Sequence, residues 1–163
     1  MKCTNVNKLV DAGCIFIFWV ADWFALLNLK MWGDLDKIQV VGRYFIEVWK
    51  SVGMKMSNVK FLWCSDQITR NAGKYWANVM DISKTFTISR LLKCCQAMGR
   101  IESTSLKTSQ IMYPAMQATD IFFLKVDICQ LGLDQRKCNM LARDYASAKK
   151  FKKSPVSLAS SKI

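Results

Sequence analysis

No histidine occurs anywhere in the 163 residues. Its absence excludes Ser-His-Asp triads, Cys-His nucleophile pairs, histidine acids or bases, and histidine-ligated zinc. Proline and glycine are scarce, at 2 and 7 residues, which excludes collagen-like and proline-rich linker chains. The seven cysteines (Cys3, Cys14, Cys64, Cys94, Cys95, Cys129 and Cys138) are odd in number and form no C-x-x-C pair. Most stand in apolar runs, where a free thiol acts as a small hydrophobe. A reducing compartment is expected, without a disulfide frame or a metal site. Long apolar runs are missing too. The longest candidate, Cys14 to Val20, is short and lies between Asp11 and Asp22, so neither a membrane span nor a signal peptide is predicted. The expected location is the cytoplasm.

Acidic residues are few as well, 12 against 24 Lys and Arg, for a formal charge of +12. The excess is concentrated at one end: residues 136–163 hold eight basic side chains and one acid, Asp144. Such an end suits a polyanion such as RNA, or simply keeps a tail solvated. What is plentiful is apolar surface, 52% of residues, enough for one domain with a real core.

Cys14-Ile-Phe-Ile-Phe-Trp-Val20 is apolar without alternation, as in a strand buried on both faces. Asp34 then reads as an N-cap. Ile38, Val41, Phe45, Val48, Trp49 and Val52 recur at helical spacing behind it, and Gly53 closes the segment. Val59 to Cys64 predicts a second buried strand, with Ser65-Asp66 in a capping position. Helices are expected at about 74–83 and 86–98, the second stopped by Gly99, and residues 100–108 read as a polar loop. A helix from about Ser109 to Leu124, a strand near Val126–Leu131 and a helix capped by Asp134 to about Ala146 follow. The remainder, 147–163, reads as a basic, poorly ordered tail. Strands alternating with helices predict an α/β domain with a mostly parallel sheet.

Ligands of such sheets bind beyond the carboxyl ends of the strands. Asp22 follows the first strand, either facing that crevice or capping the next helix. Tyr113, Gln117 and Asp120 lie at i, i+4 and i+7, which puts a phenol, an amide and a carboxylate on one face of an otherwise apolar helix. A buried polar row is costly unless protein or ligand satisfies it. Gln130-Leu-Gly132-Leu-Asp134-Gln135-Arg136 joins the last strand to a helix. There Gly132 permits close backbone approach, and Asp134 is both a cap and an acceptor for a ribose hydroxyl.

Tyr113-Pro-Ala-Met-Gln117-Ala-Thr-Asp120, followed by Val126-Asp-Ile-Cys-Gln130-Leu-Gly132-Leu-Asp134-Gln135-Arg136-Lys137, resembles the catalytic domain of the eukaryotic and archaeal tyrosyl-tRNA synthetases. Ala21-Asp22-Trp-Phe-Ala25-Leu-Leu-Asn28 is similar to that family's first strand–helix junction, and the resemblance covers roughly residues 5–156. It implies a partial Rossmann-like class I synthetase domain over 1–146, with a helical insertion at about 83–112 that forms a homodimer interface. The implied reaction joins L-tyrosine to ATP as tyrosyl-adenylate, with Mg2+ expected, and transfers the tyrosyl group to tRNA(Tyr) in protein synthesis. Asp120 matches the residue that binds the substrate phenol. Tyr113, Gln117 and Gln135 match those holding its amino and carboxylate end, and Asp134 matches a ribose contact. Asp22, Gln130 and Gly132 are further candidate contacts to tyrosine or adenylate. A buried carboxylate awaiting a hydroxyl is left unpaired by phenylalanine, which gives the discrimination a physical basis. The family's histidine-containing signature and its Lys-Met-Ser-Lys-Ser-type loop have no counterpart here, so the chain is expected to be truncated and inactive alone. The alternative from another class is a non-enzymatic basic module that binds RNA or a protein.

Overall fold

In a computed structural model, residues 2–97, 106–152 and 156–160 are described. The chain packs as two compact units, Met1–Asn71 and Ala72–Ile163, a division not drawn from the sequence.

The first unit runs α1 (Lys2–Asp11), β1 (Phe16–Val20), α2 (Asp22–Leu27), a 3-10 turn (Lys30–Gly33), α3 (Leu35–Ser51), β2 (Val59–Trp63) and α4 (Cys64–Arg70). β1 and β2 are parallel, with Phe18 opposite Phe61. Their rings stack at 5.0 Å, and Trp49 of α3 stacks on Phe18 at 4.8 Å. Val6, Val10 and Met54 complete this core. The predicted strands and the long helix are therefore present. Asp34 does cap α3, accepting from the Lys37 amide at 3.1 Å. Gly53, at φ +83°, takes the left-handed backbone that ends the helix.

Helix α1 was not foreseen from the sequence. Asn7 pins it to the turn after α3, donating to the Gly53 carbonyl at 3.0 Å and accepting from the Lys55 amide at 2.8 Å. Ser65-Asp66 does not cap α4, whose N-cap is Trp63 with no side-chain bond. Gly42 marks a close approach: a Cβ there would lie 2.7 Å from Trp63 Cη2. Gly42→Val is expected to destabilise by about 2 kcal/mol despite the poor helix propensity of glycine, because the indole must move. Urea unfolding measures it.

The second unit contains α5 (Ala72–Thr85), α6 (Ile88–Ala97), α7 (Thr108–Phe123), β3 (Ile128–Gly132), a 3-10 turn (Leu133–Gln135), α8 (Arg136–Ala148) and β4 (Val156–Ser160). Residues 114–121 of α7 are all buried, so this helix is a central rod rather than an amphipathic cover. Ala115 and Ala118 let neighbours approach it. Ile82 of α5, Leu91 and Cys94 of α6, and Leu141 and Tyr145 of α8 fill the space around it. At the far end of α5, Asp81 accepts from Tyr145 Oη at 2.6 Å and Lys149 Nζ at 2.9 Å. These bonds, that from Lys149 foremost, hold the Asp81 carboxyl at about 2.

Pro114 lies inside α7 and has no N–H for the Gln110 carbonyl one turn back. The Cys95 thiol, fully buried on α6, donates to that oxygen at 3.3 Å. Cys95→Val is expected to cost about 1–2 kcal/mol and Cys95→Ser clearly less, since a hydroxyl can still donate to the Gln110 carbonyl. Thermal melts of the two variants check this.

Three expectations shift. The last strand starts at Ile128 rather than Val126. Asp134 does not cap α8: the N-cap is Gln135, and Asp134 sits in the preceding 3-10 turn. Residues 156–160, expected in a poorly ordered tail, pair with β3 in parallel from Ile128↔Val156 to Gly132↔Ser160. The backbone donors and acceptors along β3 need partners, and this segment supplies them, which the lysine-rich composition before it conceals. Gly99 and residues 100–105 of the expected polar loop lie outside the described residues.

Candidate functional site

Helix α7 presents the polar row in an apolar setting. Tyr113 is half-buried one turn into the rod, while Gln117 and Asp120 are buried at 8% and 6% exposure. Asp120 Oδ1 accepts from the Tyr75 hydroxyl of α5 at 2.8 Å. Cys129 of β3 is close enough to feel the Asp120 charge: burial first, then that charge, pushes its thiol up to about 11. The same thiol donates to Asn139 Oδ1 of α8 at 3.7 Å. Tyr75 of α5 thus bonds the Asp120 carboxylate of α7, and Cys129 of β3, tied to Asn139 of α8, lies within reach of its charge.

Two carboxamide oxygens stand out among the described residues. Gln117 Oε1 and Gln135 Oε1 are buried and have no hydrogen-bond partner. An unpaired buried acceptor costs on the order of 1–3 kcal/mol, so both are sites that a donor would fill. An ammonium group, with three N–H donors, suits two such oxygens. Gln135 is held by its other end, its Nε2 donating to Asp134 Oδ2 at 2.7 Å. Asp134 itself is exposed in the turn that follows Gly132, where a hydroxyl can reach it.

Other candidates are placed differently. Gln130 is exposed on β3, and the two-residue period turns it to the face opposite Cys129 and Leu131. Gly132 is buried at φ −61°, a backbone any residue adopts, so conformation alone does not demand glycine there. Asp22 belongs to the first unit and is tied into it. Its Oδ1 accepts from the Trp23 amide at 2.9 Å and from Cys64 Sγ and the Ser65 amide at 3.1 Å each. Its Oδ2 accepts from Gln39 Nε2 at 2.9 Å and Ser65 Oγ at 2.5 Å. Burial raises its pKa, but the bonds from Ser65, Gln39 and Cys64 together outweigh this and leave it below the ordinary 3.8.

Sequence reasoning missed Tyr75, Asn139 and the ring of donors about Asp22. Nothing in their spacing ties Tyr75 to a residue 45 positions on; only the packing of α5 on α7 does.

Residues 1–161 match the family of class I tRNA synthetases (W and Y). The chain belongs to this family. Among synthetases of this class it is 55% identical over 159 residues to the cytoplasmic tyrosine–tRNA ligase 1 of Arabidopsis thaliana, covering 98% of this chain and 41% of that relative. A tyrosyl-tRNA synthetase of Leishmania major, solved with tyrosinol, superposes with a TM-score of 0.92 at 58% identity, over 97% of this chain and 24% of that one. The synthetase of Pyrococcus horikoshii, solved with L-tyrosine, gives 0.84 at 30% identity over 96% of this chain and 45% of that one. The chain therefore spans less than half the length of these relatives. The family fold, a class I synthetase α/β domain, accords with the parallel pairing of both strand pairs.

Proposed function

We propose that this chain forms the tyrosine-holding part of a tyrosine–tRNA ligase. The observation that carries it is the pair of buried, unpartnered oxygens of Gln117 and Gln135, with the buried carboxylate of Asp120 one turn further along α7. Free L-tyrosine offers an ammonium at one end and a phenol at the other, the two donors this row asks for. In this reading Gln117, Gln135 and Tyr113 hold the amino-acid end, Asp120 accepts from the phenol hydroxyl, and Asp134 accepts from a ribose hydroxyl of the adenylate. Asp22, its oxygens already engaged, fixes the junction between β1 and β2 instead of touching substrate.

The proposed reaction begins with attack of the tyrosine carboxylate on the α-phosphorus of ATP. A phosphorus–oxygen bond forms, pyrophosphate leaves with the electrons of the broken bond, and tyrosyl-adenylate remains. The terminal ribose hydroxyl of tRNA(Tyr) then attacks the tyrosyl carbonyl and AMP departs. No covalent bond to the enzyme is required, so the side chains contribute position and electrostatics. Among the described residues no group of three Cys, Asp or Glu side chains can cage a metal. Mg2+, expected as the companion of ATP, would be carried on the nucleotide phosphates, and no step is routed through it. Pairing of two copies through the helices around residues 83–112, and a cytoplasmic location like that in the name of the Arabidopsis relative, belong to the same proposal.

The test is calorimetric binding of L-tyrosine and L-phenylalanine to the full-length protein, together with tyrosine-dependent ATP–pyrophosphate exchange. Preference for tyrosine is expected; exchange by this chain alone is not, because it has no histidine-containing or Lys-Met-Ser-Lys-Ser-type signature to handle the phosphates. Strongly salt-dependent RNA binding with no response to tyrosine would instead favour a basic RNA-binding module.

A further inference from the structure

We infer that Tyr75 is a specificity-determining positioning residue, whose hydroxyl braces the Asp120 carboxylate against which a substrate phenol is read; the inference rests on the function proposed above. Tyr75 is fully buried on α5, with its hydroxyl 2.8 Å from Asp120 Oδ1 and 3.3 Å from the Met116 carbonyl. A phenol has one hydrogen to donate, and the carboxylate is both the nearer and the stronger acceptor. The ring cannot swing away: Phe123 of α7 meets it edge-on at 5.3 Å and 87°, and Trp76 at 5.9 Å and 88°. The donor is therefore as fixed as the helices themselves.

A carboxylate offers about four lone-pair directions over two oxygens. A bond from Tyr75 is thus compatible with a ligand hydroxyl donating to the same group. Because Tyr75 is a neutral donor, it orients the carboxylate without cancelling its charge, as a lysine or arginine would. An acceptor held in place strengthens binding of a ligand that uses it and does nothing for one that lacks the hydroxyl. Tyr75 acts on the difference between tyrosine and phenylalanine, not on aromatic amino acids in general.

The decisive variant is Tyr75→Phe in the full-length protein, which keeps the ring contacts and removes only the hydroxyl. Dissociation constants for L-tyrosine and L-phenylalanine are measured side by side. The ratio of the phenylalanine constant to the tyrosine constant is expected to fall about tenfold, with phenylalanine binding changed less than about twofold, the loss of one hydrogen bond to a charged group. A purely structural role would weaken both ligands equally and leave the ratio intact, which overturns the inference. A rise in the ratio overturns it as well, since Tyr75 would then compete with substrate. Phe123→Leu covers the case in which Tyr75→Phe does not fold. It frees the Tyr75 ring without removing the hydroxyl and is expected to lower the ratio too; an unchanged ratio again overturns the inference. If the unmodified protein binds both amino acids equally, the ligase proposal fails, and this one with it.

Discussion

Asp120→Ala is expected to abolish the preference for tyrosine over phenylalanine while leaving the fold intact. The substrate phenol loses its acceptor, a carboxylate only 6% exposed. A hydrogen bond to a buried charged group contributes about 1.5–3 kcal/mol, so tyrosine binding should weaken by about 10- to 100-fold. Phenylalanine, which never used the carboxylate, should bind at least as well as before. The variant is expected to fold because the Tyr75 hydroxyl still has the Met116 carbonyl within 3.3 Å. Asp120→Asn separates charge from shape: it retains an acceptor oxygen and should keep part of the preference. Equilibrium dialysis with both amino acids reads the outcome. Unaltered discrimination in Asp120→Ala would remove Asp120 from the site and with it the main chemical support for the ligase proposal.

The largest effect on stability is expected from Asp22→Ala. The carboxylate is 2% exposed and accepts from the Trp23 and Ser65 amides, the Ser65 hydroxyl, the Cys64 thiol and the Gln39 amide. Alanine strands the Ser65 and Cys64 donors away from water, and the end of β2 loses its tie to β1. A loss of about 3–5 kcal/mol is expected, a large part of the ~5–15 kcal/mol that holds a typical domain. Asp22→Asn should cost less, since one oxygen can still accept.

The acid response of Asp22 has a definite sign. Its folded pKa lies below the ordinary 3.8, so the folded state binds fewer protons than the unfolded chain in that range. The stability it contributes is complete above about pH 4 and is lost as pH falls through the lower folded value. Urea midpoints of Asp22→Asn should therefore converge on those of the unmodified protein below pH 4. Parallel curves down to pH 2 would contradict the assignment of Asp22 as an ionised clamp.

Local signals made much of this molecule readable. The aromatic run ending at Val20, the Asp34 cap and the stop at Gly53 each act within a few residues, where backbone preference and capping dominate. The row Tyr113, Gln117 and Asp120 was equally legible, because helical periodicity alone puts these three on one face. Capping at Ser65-Asp66 and at Asp134 was misread for one shared reason. Residue types that cap helices also serve as tertiary partners, and Ser65 is drawn to Asp22 while Asp134 takes the Gln135 amide. β4 went unseen because strand pairing depends on a distant edge that composition does not report.

By itself, then, the amino-acid order determined the alternation of elements, the absence of histidine chemistry, the polar row on α7 and the resemblance that names its residues. Tertiary packing alone decided which polar groups were used up and which were left waiting. Asp22 was consumed by five donors, Asp120 was braced by a tyrosine 45 residues away, and Gln117 and Gln135 kept buried oxygens without partners. The reason is physical: the need for a hydrogen bond belongs to the residue, but its satisfaction depends on what the fold brings within about 3 Å.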